Sequence, residues 1–309
     1  MIATLVIFLR EGVEASMIVA ILLAYLSRSG QRRHFRDVFA GVAAALVLAG
    51  AGGIIAYFTI KTYADSRVQT IFETATYLLA AVLLTYMTFW MRSHARGLKS
   101  ELQSRADAVL GSHGPSAAAP PAGPGGPGVA AAVAAQPDAD AAMSRGTRAG
   151  LALLAFQAVG REGVETVVFT LAIAFSSTQR GGLLTGAVIG LAIAMVIAFV
   201  MYKLGHRINI GRFFTIVGAL LMVFAAGLLV DAVQNMQELG WLPGASHQLW
   251  HTGAILNEDS ALGDIAHSFL GYAQSPTVLQ AVVYLAYLAC VLFAFFGIRQ
   301  RIGRRTATR

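Results

Sequence analysis

The chain has 309 residues, of which 56% are hydrophobic and 13% are charged, and its formal net charge is +7. This composition excludes an ordinary soluble domain and indicates a polytopic membrane protein. The single cysteine, Cys290, leaves no intramolecular disulfide and no thiolate cluster, and the basic residues between the apolar runs are typical of membrane orientation, not of a nucleic-acid-binding face.

Three predicted transmembrane helices make up residues 1–92. The apolar runs cover about 2–27, 38–60 and 70–91, each close to the ~20 residues needed to cross a bilayer. No basic segment precedes the first run and charges interrupt it, so we interpret it as a retained helix and not as a signal peptide. These helices form the first of two predicted repeats.

Residues 93–148 separate the two halves of the chain. Their composition changes to a polar segment and then to Ala/Pro/Gly low complexity between Gly111 and Ala142. Such a segment buries too little side chain to fold. We therefore predict a flexible cytoplasmic linker that carries no chemistry.

Residues 149–231 are predicted to hold a second set of three transmembrane helices. Their apolar runs are 150–175, 183–202 and 213–230. The polar segment 232–276 is predicted to be an extracytoplasmic loop. A seventh helix and a basic cytoplasmic tail follow in residues 277–309.

Lysines and arginines are distributed unequally between alternate connecting segments. Segments 28–37, 92–148, 203–212 and 299–309 hold 4, 6, 3 and 5 of them, 18 in all, against three on the other side. The positive-inside rule then places the N-terminus outside and the C-terminus in the cytoplasm. On this topology the first and fourth helices run in opposite directions. We therefore predict an all-α fold of seven transmembrane helices, in which a 3+3 inverted repeat is followed by a seventh helix.

One charged pentapeptide occurs twice, each time inside an apolar run. The copies are Arg10-Glu11-Gly12-Val13-Glu14 and Arg161-Glu162-Gly163-Val164-Glu165. Six unpaired charges near the bilayer centre would cost on the order of 15–20 kcal/mol. We therefore interpret the motif as functional, in preference to a salt-bridge cluster that only fixes helix register.

The glutamates of each copy are the candidate metal ligands. They are three residues apart and project from one helix face. Inverted copies that face each other would bring Glu11, Glu14, Glu162 and Glu165 together near the midplane, where secondary transporters bind their substrates. Carboxylate oxygens favour a hard cation over copper(I) or another thiolate-preferring metal.

The remaining motif residues are predicted to support this site. Arg10 and Arg161 can pair with the glutamate four residues further on, which stabilises the carboxylates in the membrane. Gly12 and Gly163 would allow close helix approach or local unwinding.

Three acidic residues on the predicted outer side are candidates for the path by which an ion reaches the site. They are Glu73, Asp231 and Glu238, and carboxylates at such positions attract cations. Three outer-loop histidines could bind metal, but we favour the interpretation that they are ordinary loop residues: His247, His251 and His267.

The duplicated motif resembles the Arg-Glu-Gly-Leu-Glu hallmark of the high-affinity, oxidase-dependent iron permeases of fungi and bacteria, with Val13 and Val164 in place of leucine. The resemblance extends to Phe89-Trp90-Met91, Gln237-Glu238-x-Gly240 and Glu258-Asp259-Ser260-Ala261-Leu262-Gly263. It implies a multi-pass permease of the inner (plasma) membrane that carries Fe³⁺ or Fe²⁺ inward on the motif glutamates. Iron would be the transported substrate with no tightly bound cofactor, and the implied partner is an extracytoplasmic iron-oxidising or iron-delivering protein.

Other functions stay open on the residues alone. Carboxylates discriminate poorly among cations, so a carrier or channel for Mn²⁺, Pb²⁺, sodium or protons is an alternative. A membrane di-metal oxidoreductase is another, but di-iron bundles use Glu-x-x-His, and neither motif copy has a histidine at that spacing. We therefore predict a transporter and not an enzyme.

Overall fold

The computed structural model describes residues 1–28, 30–94, 137–176, 181–204, 210–243, 248–252, 257 and 260–306. Within these residues the fold is all-helical, with a 3₁₀ turn at Arg32–His34 and eight α-helices. The helices are α1 (Ile2–Arg28), α2 (Phe35–Lys61), α3 (Arg67–His94), α4 (Pro137–Ser176), α5 (Gly181–Leu204), α6 (Ile210–Glu238), α7 (Ala261–Leu270) and α8 (Val278–Thr306).

Among the residues that the structure describes, four segments are long and apolar enough to cross a membrane. They are Arg32–Lys61, Arg67–Met91, Gly181–Val200 and Arg212–Glu238, and α8 adds a shorter apolar stretch, Val278–Ala294. The helices α1 and α4 are also long, but each carries the three motif charges within its apolar run. The chain is thus an all-helical polytopic membrane protein.

The fourth helix begins earlier than the sequence predicts. We expected it to start near Gly150, whereas α4 starts at Pro137, inside the segment assigned to the linker. Proline is favoured in the first turn of a helix, and the alanines that follow have the highest helix propensity. The rest of the predicted linker, 95–136, lies outside the described residues.

The segment predicted to be a loop between 232 and 276 contains two helical parts. The first is the end of α6, which continues to Glu238 before Gly240 turns the chain at φ +74°. The second is α7, whose N-cap Ser260 accepts a hydrogen bond from the Gly263 N–H and whose C-cap is Gly271 in the left-handed region, φ +68°. Both glycines occupy backbone conformations that L-residues rarely adopt.

The chain divides into two compact units, which are described separately. Unit 1 comprises Met1–Glu14, Ala49–Ala95 and Glu162–Arg309. Its core is formed by buried side chains of α1, α3, α4 and α6, among them Ile7, Leu84, Phe169, Leu221 and Phe224. The helix α6 packs along α3 and contacts both α7 and α8.

Unit 2 comprises Ala15–Leu48 and Arg96–Arg161. Its core contains Leu22, Leu26, Val38, Leu151 and Ala155. The second part of α1 and the first part of α2 therefore pack with the first part of α4.

Within unit 1, α5 approaches α1 through a row of small residues at every fourth position. The row consists of Gly182, Gly186, Gly190 and Ala194. A Cβ atom on Gly190 would lie 2.5 Å from the carbonyl oxygen of Leu5, and one on Gly12 would lie 2.7 Å from the Cβ of Ala194. The backbones are therefore in contact, as in small-residue packing of membrane helices, and the contacts advance in the same direction along both helices.

The helix α2 uses glycines against α4 in the same way. In unit 2, a Cβ on Gly41 would overlap the backbone of Ala152. In unit 1, a Cβ on Gly53 would lie 3.2 Å from the Val167 side chain. In unit 2, a Cβ on Gly160 would also lie 3.8 Å from the Cβ of Ala45, so within this unit the contacts advance in the same direction along α2 and α4.

Candidate functional site

Both copies of the pentapeptide are wholly helical, one in α1 and the other in α4. Their four glutamates belong to unit 1 and are all buried, with Glu11 and Glu14 each 3% exposed and Glu162 and Glu165 each 6% exposed. Four carboxyl groups withdrawn from solvent need compensation by cations or by hydrogen bonds.

Carboxylates from both copies meet in one place. One oxygen each of Glu11, Glu14 and Glu162 lie within 4.8 Å of one another. Oxygen ligands bound to one ion at about 2.1–2.5 Å are separated by roughly 3–5 Å, so this spacing suits a single cation. The fourth glutamate, Glu165, is close enough to Glu11 and Arg10 for their charges to interact.

Arg10 provides the positive charge beside this cluster. Its Nε donates a hydrogen bond of 3.0 Å to Oε1 of Glu14, and its Nη1 lies 3.6 Å from Oε1 of Glu11. Among the described residues, neither Nη atom of Arg10 and neither carboxylate oxygen of Glu11 has a hydrogen-bond partner. Buried carboxylate oxygens with spare acceptor capacity are what a cation requires.

The other supporting residues have unequal surroundings. Arg161 is exposed, unlike its counterpart Arg10, and Gly163 is half-buried. Gly12 allows the close approach of α1 to Ala194 of α5 described above. The two identical pentapeptides therefore do not have identical environments.

The three candidate residues of the ion-access path lie on α3 and α6 and outside the central group. Glu73 is half-buried and accepts a hydrogen bond of 2.7 Å from Nε2 of Gln69. Glu238 is exposed and its charge interacts with that of Glu73. Asp231 is buried, with its Oδ1 3.7 Å from Nε2 of His267.

A polar cavity of about 260 Å³ lies beside the ends of α6 and α8. It is lined by Gln234, Gln237, Glu238, Gln248, Ala273, Gln274, Ser275, Thr277 and Gln280. The sequence analysis named Glu238 for the ion path and Gln237 for the family resemblance, but it did not predict this cavity, which also needs Gln248 and Gln280 from later in the chain.

The position of His267 was also missed. Its neighbour Asp231 is distant in sequence, and the histidine was interpreted as a loop residue, whereas it lies in α7. The signal that could have indicated this helix is the pair of caps, Ser260 and Gly271. The predicted loop residues His247, Glu258 and Asp259 lie outside the described residues.

The profile of the Iron permease FTR1 family matches residues 1–302. "Ferrous iron permease EfeU" of Escherichia coli O6:H1 (strain CFT073) is 31% identical over 297 residues, 96% of this chain and 95% of its own. The protein of the same name from Yersinia pestis is 30% identical over 296 residues, 96% of this chain and 93% of its own. No solved structure matches the chain. The chain belongs to the Iron permease FTR1 family, which confirms the resemblance seen in the duplicated motif.

Proposed function

We propose that this family member carries iron inward across the inner membrane on a site formed by Glu11, Glu14, Glu162 and Glu165. The observation that carries the proposal is the convergence of buried carboxylate oxygens from both motif copies within 4.8 Å. One copy alone supplies two carboxylates. A second copy supplies the further oxygen ligands that a hard cation takes in proteins.

Arg10 offsets the repulsion among the carboxylates, because its guanidinium lies 3.0 Å from Glu14 and 3.6 Å from Glu11. A bound ion would compete with Arg10 for the same oxygens. This competition would keep binding weak enough for release, as transport requires.

We propose Fe²⁺ as the transported form, because the two relatives described above are named ferrous iron permeases. Carboxylates also accept Fe³⁺, for which an extracytoplasmic iron-oxidising or iron-delivering protein would serve as the source. Glu73, Asp231 and Glu238 would attract the ion to the outer side, because all three are acidic and lie on the neighbouring helices α3 and α6.

Helix packing supports an inverted repeat of three plus three helices, with α8 as the added transmembrane helix. The second helix of each half packs on the first helix of the other half: α5 on α1, and α2 on α4. Because α1 and α5 run parallel and successive spans alternate in direction, α1 and α4 would cross the membrane in opposite directions. The two motif copies would then face each other from opposite sides of the midplane.

The test is uptake of radiolabelled Fe²⁺ into proteoliposomes by four variants: Glu11→Gln, Glu14→Gln, Glu162→Gln and Glu165→Gln. Each substitution removes one charge without opening a cavity. We expect uptake to fall at least about tenfold, which corresponds to a free-energy change of about 1.4 kcal/mol. The matched control is Asp65→Asn in the exposed turn after α2, where φ is +59° and asparagine is well tolerated.

Normal uptake in any two of the glutamine variants would contradict the four-carboxylate site. Competition by Mn²⁺ or Pb²⁺ in the same assay identifies the ion that the site prefers. If either metal is transported faster than iron, that metal and not iron is the substrate of the site.

A further inference from the structure

The helix α7 holds His267 in a fixed position against α6. Gly271 ends α7 and lies against Gly227 of α6, where an added Cβ on Gly227 would be 2.9 Å from the Gly271 Cα. Phe269 is buried in the core of unit 1. The histidine between Ser260 and Gly271 is thus carried by a capped and docked helix, not by a loop.

A hydrogen bond to the backbone determines which ring nitrogen of His267 carries the proton. Nδ1 lies 2.8 Å from the carbonyl oxygen of Tyr272. A carbonyl oxygen only accepts, so Nδ1 must donate. The neutral ring then has its lone pair on Nε2. In histidines that bind metals, the nitrogen that does not bind the metal typically donates a hydrogen bond in this way.

The nitrogen Nε2 faces a carboxylate. Oδ1 of Asp231 is 3.7 Å away, which is longer than a hydrogen bond. Two ligand atoms that share one ion at about 2.1 Å each are separated by roughly 3–4 Å. The side chains are 21% and 10% exposed, so water can complete the coordination of an ion between them.

We propose that His267 and Asp231 form an outer coordination site for a borderline divalent ion such as Fe²⁺, Co²⁺ or Zn²⁺. The inference rests on the proposed function, because the site would act before the central carboxylates. Imidazole suits these ions, whereas Mg²⁺ and Ca²⁺ prefer oxygen ligands. The outer site therefore supplies the selection against Mg²⁺ and Ca²⁺ that a carboxylate site lacks.

The experiment is a Co²⁺ titration of the purified full-length chain in a Glu11→Gln, Glu162→Gln background, in which the central site is disabled. Co²⁺ bound by imidazole changes its visible absorption spectrum. We expect one bound Co²⁺ that a large excess of Mg²⁺ does not displace. Adding His267→Gln or Asp231→Asn should weaken this binding at least about tenfold.

The matched control is His251→Gln. This exposed histidine bonds to Ser275 through Nδ1 and belongs to neither site, so its variant should bind Co²⁺ normally. Thermal melting of each variant separates loss of the ligand from loss of the fold, since a structural role alone would lower the melting temperature and leave Co²⁺ bound to the folded fraction.

Absence of Co²⁺ binding in the background protein would overturn the outer site, as would equal binding with and without His267. The central site is judged separately. It fails if the single glutamine variants transport iron normally, whatever the Co²⁺ titration shows.

Discussion

The two identical pentapeptides have different surroundings, and the difference is clearest at their arginines. Arg10 is 2% exposed and contacts two carboxylates of its own copy, while Arg161 is exposed. The sequence predicted equivalent roles because a motif contains no information on its surroundings. Burial by the other helices makes the difference.

Arg10→Lys should reduce iron uptake about tenfold, because an ammonium group lacks the planar fork that reaches Glu11 and Glu14 together. The retained charge should keep the amount of protein in the membrane close to normal. The measurement is the initial rate of radiolabelled iron uptake, normalised to protein amount.

Arg161→Lys is the comparison for this prediction. An exposed arginine stabilises neighbouring carboxylates less than a buried one does. Arg161→Lys should therefore reduce iron uptake less than Arg10→Lys. Equal rates in the Arg10→Lys variant and the unmodified protein would show that Arg10 acts only as a counter-ion.

At the scale of helices, much of the fold is visible in the sequence. The apolar run predicted at 2–27 is α1, Ile2–Arg28, and α2 and α3 likewise contain the runs predicted for them. The glutamates proposed as ligands follow from duplication and from the cost of burying charge. These signals are local, and local signals suffice to locate long apolar helices.

Other features depend on contacts between distant residues and could not be predicted. The sequence does not show that the polar end of α6 stays helical to Glu238. At that end, Gln237 accepts a hydrogen bond from Thr277 and the Leu239 carbonyl accepts one from Arg67, and both donors are distant in sequence. The sequence also does not show that α7 folds back to bring His267 to Asp231. Polar composition indicated a loop in both places.

The close packing of the small residues of α5 against α1 leads to a testable prediction. Gly190→Ala should destabilise the protein by about 1–3 kcal/mol, because its Cβ would meet the Leu5 carbonyl at 2.5 Å and force α1 and α5 apart. The melting temperature in detergent measures this effect.

Gly52→Ala is the matched control for that prediction. Gly52 is exposed in α2, and no atom lies within 4 Å of an added Cβ, so alanine should be neutral or slightly stabilising. A melting temperature that is the same for both alanine variants would exclude tight α1–α5 packing.

At the scale of the whole molecule, the proposed direction of transport depends on the orientation in the membrane. In a Cys290→Ala background, cysteines at Ser116 and Thr306 should resist an impermeant thiol reagent in intact cells, while one at Ser246 should react. The reason is the concentration of 18 of the lysines and arginines in alternate segments. Labelling at Ser116 would reverse the orientation.

If both motif copies build one site, each chain should bind a single ion there, and the number of bound ions can be measured. The chain should be titrated anaerobically with Fe²⁺ in a His267→Gln background, which removes the proposed outer site. We predict one Fe²⁺ per chain, and at least about tenfold weaker binding whether Glu11→Gln or Glu162→Gln is added. Two independent ions per chain, or unchanged binding in the Glu162→Gln variant, would contradict a shared site.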